Sequence, residues 1–136
     1  MDTEQALDAI GCSRRQLDYL TRCGAAPADM NVGSGYRREW EPATVVRLFI
    51  AYRAATAAPT TQSPWPLAAR AALDPGLPPP PRQGYVILTS DPVAVTWVAT
   101  WPEVRRLIDA AGAATVATYD TTDLRLGADL TCAVAH

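Results

Sequence analysis

Four consecutive prolines, Pro78 to Pro81, narrow the folding choices of this chain more than any other stretch. Proline fixes φ and has no backbone N–H, so the run fits neither a helix interior nor a central strand. It favours an extended polyproline conformation, a semi-rigid spacer of about 3 Å per residue. Such a run also serves as an SH3-type ligand, but its place between two structured segments favours the spacer. With Asp74-Pro75-Gly76-Leu77 before it and Arg82 after it, the run divides the chain. The expected units are residues 1–75, a linker over 76–83, and residues 84–136. The 49% hydrophobic and 19% charged composition is that of a folding chain.

In the first unit, Asp2 or Thr3 can start a helix through Glu4-Gln5-Ala6-Leu7-Asp8-Ala9-Ile10, with Ala6, Leu7 and Ile10 as its apolar stripe. Gly11 stops it. Ser13 can cap a second helix over 14–23, and Gly24 can end it. Leu17 and Leu20 face inward, with Cys23 near them. Arg14, Asp18 and Arg22 share another face, because residues four apart stack on one side of a helix. Two short helices joined by a tight turn form a helix-turn-helix layout. Asn31-Val32-Gly33-Ser34-Gly35-Tyr36-Arg37-Arg38-Glu39-Trp40 suits a hairpin, with its tip at the glycines. Glu41-Pro42 then opens a third helix whose apolar positions are Val45, Val46, Leu48, Phe49 and Tyr52. Ser63, Pro64 and Pro66 can start a fourth, through Leu73.

These pieces resemble a known family. Gly11-Cys12-Ser13 with Leu17 and Tyr19, then Gly24, Pro27, Gly35-Tyr36-Arg37 and Trp40, then Thr44, Val45, Val46 and Leu48, occur in the order found in MerR-type transcription regulators. Residues 3–73 look like their winged helix-turn-helix domain. The resemblance implies that Arg14, Arg15 and Gln16 face the major groove. It also implies that Tyr19 and wing residue Arg37 approach phosphates, with Ser13, Arg22 and Arg38 as further backbone contacts and Tyr36 in the wing. Arginine and glutamine can read purine edges, and hydroxyls and guanidinium groups hold phosphates. The chain departs from the family at Asp18, where an arginine is usual, and at Leu20, where a second tyrosine is common. An acid near phosphates costs affinity unless Arg14, Arg15 or Arg22 pairs with it. The family's long dimerisation helix has no counterpart after residue 73.

Beyond the prolines, Tyr85–Thr89 and Ala94–Thr100 read as strands, with Asp91-Pro92 as the turn between them. Trp101–Gly112 reads as a helix with an inner stripe of Val104, Leu107, Ile108 and Ala111. Ala114–Tyr119 is a third strand, and Leu130–Val134 a candidate fourth. The expected class is therefore α+β: a winged helix-turn-helix domain, a Pro-rich linker, and a small ββαβ(β) domain that dimerises or binds a protein partner. A free sheet edge offers a route to a homodimer.

The net charge of −2 excludes a uniformly basic nucleic-acid binder, so any DNA contact must come from a local patch. All twelve basic residues are arginine. No apolar run is long enough to span a membrane, and the N-terminus has no secretory pattern. Cys12, Cys23 and Cys132 form no Cys-x-x-Cys pair, and the single histidine is His136. Reduced cysteines in a cytoplasmic protein are the plain reading. No metal site, cofactor or catalytic group is expected. Asp120, Asp123 and Asp129 do not fit a calcium loop. The expected function is a sequence-specific DNA-binding regulator, or an architectural factor of the phage excisionase kind. The alternative is a protein-interaction adaptor that has lost DNA binding.

Overall fold

Asp2 begins the first helix of the structure, a computed structural model. The structure describes residues 2–23, 31–32, 37–38, 40–58, 64–90, 92–111, 114–122, 124 and 134. In α1 (Thr3–Ile10) the Asp2 carboxylate accepts the Gln5 N–H at 2.8 Å. The Gln5 side chain in turn accepts the Asp2 N–H at 2.9 Å. This reciprocal cap satisfies two donors that a helix start leaves free. Gly11 ends α1 at φ 83°, where its N–H reaches the Leu7 carbonyl at 2.9 Å. That left-handed conformation suits glycine. The same capping device then opens α2 (Arg14–Arg22): Ser13 Oγ accepts the Gln16 N–H at 3.1 Å, and Gln16 Oε1 accepts the Ser13 N–H at 2.9 Å. Leu17 and Leu20 are buried, as their spacing predicts.

A two-stranded antiparallel ribbon follows, β1 (Asn31–Val32) and β2 (Arg37–Arg38), with Asn31 opposite Arg38 and Val32 opposite Arg37. The expected tip over 33–35 lies outside the described residues, as do Tyr36, expected in the returning strand, and Gly24. Trp40 is buried and donates its indole N–H to Thr3 Oγ1 at 3.2 Å. Pro42 then opens α3 (Pro42–Ala57), where its missing N–H costs nothing.

The molecule is built around α3. Val45, Val46, Leu48, Ile50, Ala51, Ala54 and Ala55 are all buried, and they go round most of the helix. A helix that is apolar on nearly every side belongs inside. It packs against α1, against α4 (Trp65–Ala72) and against the sheet. Trp65, Ala68, Ala69 and Ala72 form the inner stripe of α4, and Leu67 points outward. Pro64, one of the expected starting residues, occupies the cap position of α4; Ser63 lies outside the described residues.

The second half forms β3 (Gln83–Ser90), β4 (Val93–Val98), α5 (Trp101–Ala111) and β5 (Thr115–Asp120). The strands lie in the order β4-β3-β5, all antiparallel. Side chains alternate between the two faces with period two. Val86, Leu88, Val95, Trp97 and Tyr119 project toward the helices, and Val86 pairs with both Trp97 and Ala117. On the other face lie Ile87 and Tyr85, with α5 over β3 and β4. The Tyr85 and Trp101 rings stand 5.6 Å apart there. Val104 is the buried anchor of α5. Leu107 and Ile108 are half-buried, and Ala111, expected inside, is exposed. The candidate strand over 130–134 lies outside the described residues except Val134, which is buried.

The sheet and the N-terminal helices share one apolar cluster, so the two-unit expectation is revised. Burying Val86, Leu88, Val95 and Trp97 against helices is worth roughly 6–12 kcal/mol as an upper bound. The proline run is correspondingly fastened rather than free. Pro80 is buried. The Pro78 carbonyl accepts the Trp97 indole N–H at 3.0 Å, and the Pro81 carbonyl accepts the Tyr119 hydroxyl at 2.9 Å. Arg47 of α3 donates to the carbonyls of Ala72 at 3.1 Å, Asp74 at 2.9 Å and Leu77 at 3.0 Å. Its guanidinium lies 5.3 Å over the Trp97 ring.

Candidate nucleic-acid interface

The outward face of α2 carries Arg14, Arg15, Asp18, Tyr19 and Arg22, all exposed. Its back is Leu17 and Leu20, so the helix cannot turn without unburying them. The Arg22 guanidinium lies 5.7 Å from the centre of the Tyr19 ring. A cation on an aromatic face holds both side chains in one place at little cost. Tyr19 is 46% exposed, unusually open for a large ring.

Arg14 has a partner that the sequence does not suggest. Its Nη2 donates to Glu4 Oε1 of α1 at 2.6 Å. This hydrogen bond, and then the Glu4 charge, hold the guanidinium above its ordinary pKa, with a smaller push from Asp18. Of the three arginines that could offset Asp18, Arg14 is thus engaged with Glu4. Gln16 is also diverted. Its side-chain oxygen holds the Ser13 N–H and accepts the Tyr52 hydroxyl at 3.3 Å. A two-point contact with a purine needs that oxygen, so Gln16 could read a base only by giving up the cap. Ser13 spends its hydroxyl oxygen as an acceptor for the Gln16 N–H.

Arg15, Gln16, Tyr19 and Arg22 line one side of a cleft of about 270 Å³, whose other side is Trp65 and Pro66 at the start of α4. The Trp65 indole N–H donates to the Gln16 carbonyl at 3.1 Å, and its ring meets Tyr52 edge-on at 5.2 Å. Arg70 Nη2 donates to the Cys23 carbonyl at 2.7 Å, placing a cation at the C-terminal end of α2. Tyr52, Trp65 and Arg70 therefore position the helix. Only Tyr52 carries a local signal, as an apolar position of α3. Trp65 and Arg70 act over more than forty residues of chain, which periodicity does not register.

Arg37 and Arg38 sit opposite Val32 and Asn31 in the ribbon; where their side chains lie is outside the described residues, and so is Tyr36. The structure thus brings Arg15, Tyr19 and Arg22 together on one surface and leaves the ribbon residues placed by backbone alone.

Among the described residues, no group of three His, Cys, Asp or Glu is arranged to hold a metal ion. Cys12 is buried, and burial pushes its thiol up to about 11, which makes it a poor nucleophile. Asp120 accepts the Thr122 N–H at 2.8 Å, and hydrogen bonds from Thr122 hold its carboxyl below the usual range. Asp123, Asp129 and Cys132 lie outside the described residues. No helix among the described residues is long and apolar enough to cross a membrane. Comparison of the chain with protein-family models, with curated proteins and with solved structures finds no match.

Proposed function

We propose that the chain is a sequence-specific DNA-binding protein of the winged helix-turn-helix kind, a cytoplasmic transcription regulator or an architectural factor. In this reading α2 enters the major groove and the β1–β2 ribbon lies on the backbone as the wing. One observation carries it: Arg15, Tyr19 and Arg22 stand together on the outward face of a short helix whose opposite face is locked into the core. Guanidinium groups and a phenol in that arrangement suit base edges and phosphates. The order helix, tight turn, helix, ribbon, helix supports the same reading. Pairing of outer strand β4 or β5 with a second copy would bring two such helices to one duplex.

The test is selection of bound sequences from random duplexes by the full chain, followed by titration at two salt concentrations. An enriched motif is expected, palindromic if the protein acts as a symmetric dimer. Contacts from Arg15, Arg22, Arg37 and Arg38 would give a log–log salt slope of about −3 to −4. Replacing Arg14 and Arg15 together by alanine should abolish the sequence preference and leave folding intact. No enrichment and no binding at low salt would favour the adaptor reading, to which the Arg14–Glu4 pair and the acidic net charge lend support.

A further inference from the structure

The cleft between α2 and the start of α4 has a ligand chemistry of its own. Along its α2 side the unspent side-chain groups are donors. Arg15 has no hydrogen-bond or ion-pair partner among the described residues, and Arg22 meets only the Tyr19 ring there. Gln16 has spent its side-chain oxygen on the Ser13 N–H and the Tyr52 hydroxyl, which leaves its NH2 group as the free half of the amide. No acid lines the cleft: Asp18 is not among its lining residues, and Glu4 is paired with Arg14.

The opposite side is apolar and already held in place. Trp65 is 3% exposed, so only an edge of its ring is open. Its N–H is occupied by the Gln16 carbonyl, and Tyr52 meets the ring edge-on. Pro66 beside it is half-buried and carries no N–H. At about 270 Å³ the cleft falls just under the usual range for drug-sized ligands, about 300–1,000 Å³, which suits a single substituted ring.

The geometry points to a small aromatic carboxylate as the ligand of this cleft, and to exclusion of DNA as the consequence. The carboxylate faces Arg15, Arg22 and the Gln16 NH2 group, and the ring lies against Pro66 and the open edge of Trp65. A guanidinium meets a carboxylate through two parallel N–H···O bonds, which orients the ring as well as holding the charge. The ligand thereby occupies the arginines on which the proposed DNA contact depends. Linkage makes the effect mutual: each ligand weakens the other by the same factor. The exclusion rests on the DNA-binding reading, whereas the binding of the carboxylate does not.

Three probes at matched ionic strength test it: benzoate, with ring and charge; benzamide, with the ring alone; and acetate, with the charge alone. Each is titrated into the 15N-labelled full chain without DNA. Saturable shifts are expected at the Arg15 and Tyr19 amides and at the Trp65 indole N–H. Benzoate should bind with a Kd of about 1 mM, as befits so few atoms, and about tenfold tighter than benzamide or acetate. Arg15→Gln and Arg22→Gln, both at exposed positions, should fold normally and each weaken benzoate about threefold or more. With a duplex selected by the full chain, benzoate at about 10 mM should weaken DNA binding about tenfold, and benzamide no more than about twofold. No saturable shift with benzoate up to about 10 mM overturns the proposal, as do shifts that fall elsewhere, benzamide or acetate binding as tightly as benzoate, or unchanged binding in both variants. DNA affinity untouched by bound benzoate overturns the exclusion. Benzoate binding by a chain that selects no duplex supports the ligand site and refutes the DNA reading instead.

Discussion

Arg47→Met should be among the most damaging single substitutions in the chain. The arginine is half-buried, and it donates to the carbonyls of Ala72, Asp74 and Leu77 while lying over Trp97. A hydrogen bond from a charged donor contributes about 1.5–3 kcal/mol in a fully buried setting. These carbonyls regain some water when the arginine leaves, so about 1 kcal/mol each is the better figure. Loss of the stacked cation adds about 0.5–1 kcal/mol. The sum is about 3–4 kcal/mol, or a drop in Tm of about 10–15 °C for a chain of this size. Methionine fills much of the same volume, which keeps a cavity out of the comparison. Burial itself lowers the pKa of Arg47, opposed in part by Asp74. Arg47→Lys should lose about half as much, since an ammonium cannot span three carbonyls in one plane. The assay is urea unfolding followed by far-UV circular dichroism and by tryptophan fluorescence. One coincident transition is expected from both probes, since both halves share the core. A loss below about 1 kcal/mol would refute the clamp, and two separate transitions would refute the shared core.

Three further outcomes follow from the same contacts. On the proposed DNA-binding reading, Glu4→Gln frees Arg14 and should raise DNA affinity several-fold at low salt, with the thermal melt almost unchanged because the pair is solvent-exposed, as checked by fluorescence anisotropy and a thermal melt. Gly84→Ala should cost about 2–3 kcal/mol in urea unfolding, because its Cβ would fall 2.4 Å from the Val98 carbonyl oxygen, a backbone atom with little freedom to move. Stability should fall as pH rises above about 9: burial holds the Cys12 thiol up to about 11 and the Tyr119 phenol above its ordinary value. The unfolded chain then releases these protons before the folded one does, so the stabilisation present below pH 9 is lost through pH 11. Urea midpoints at pH 8 and pH 10 check this, and Cys12→Ala should flatten the slope.

Local signals suffice where a short-range rule decides the outcome. Asp2, Gly11 and Ser13 do what capping chemistry asks of them, and Pro42 opens its helix as expected. The strands of the second half begin and end within about two residues of where alternation and turn residues place them. Long-range contacts left no such trace. The burial of α3 on nearly every side depends on Ala51, Ala54 and Ala55, and alanine is too weakly apolar to announce a buried face. The proline run reads as a spacer because its missing donors are visible in the sequence. Trp97 and Tyr119, which bind carbonyls of the run, and Arg47, which binds the Leu77 carbonyl beside it, come from distant elements. At the candidate interface, helix spacing revealed which residues point outward. It could not reveal that Glu4 holds Arg14 or that Tyr52 shares Gln16 with the cap.

The fastened prolines also govern what the surface beside them can do in a crowded cell. A strand from another molecule extends a sheet by finding alternating N–H and carbonyl groups along an open backbone. Pro78 to Pro81 offer no N–H at all, and the Pro78 and Pro81 carbonyls are already occupied from within the fold. The segment leading into β3 is therefore a poor template for intermolecular pairing. Replacing these prolines by β-forming residues would keep the chain's path but restore the donors, turning a stretch that resists aggregation into one that invites it.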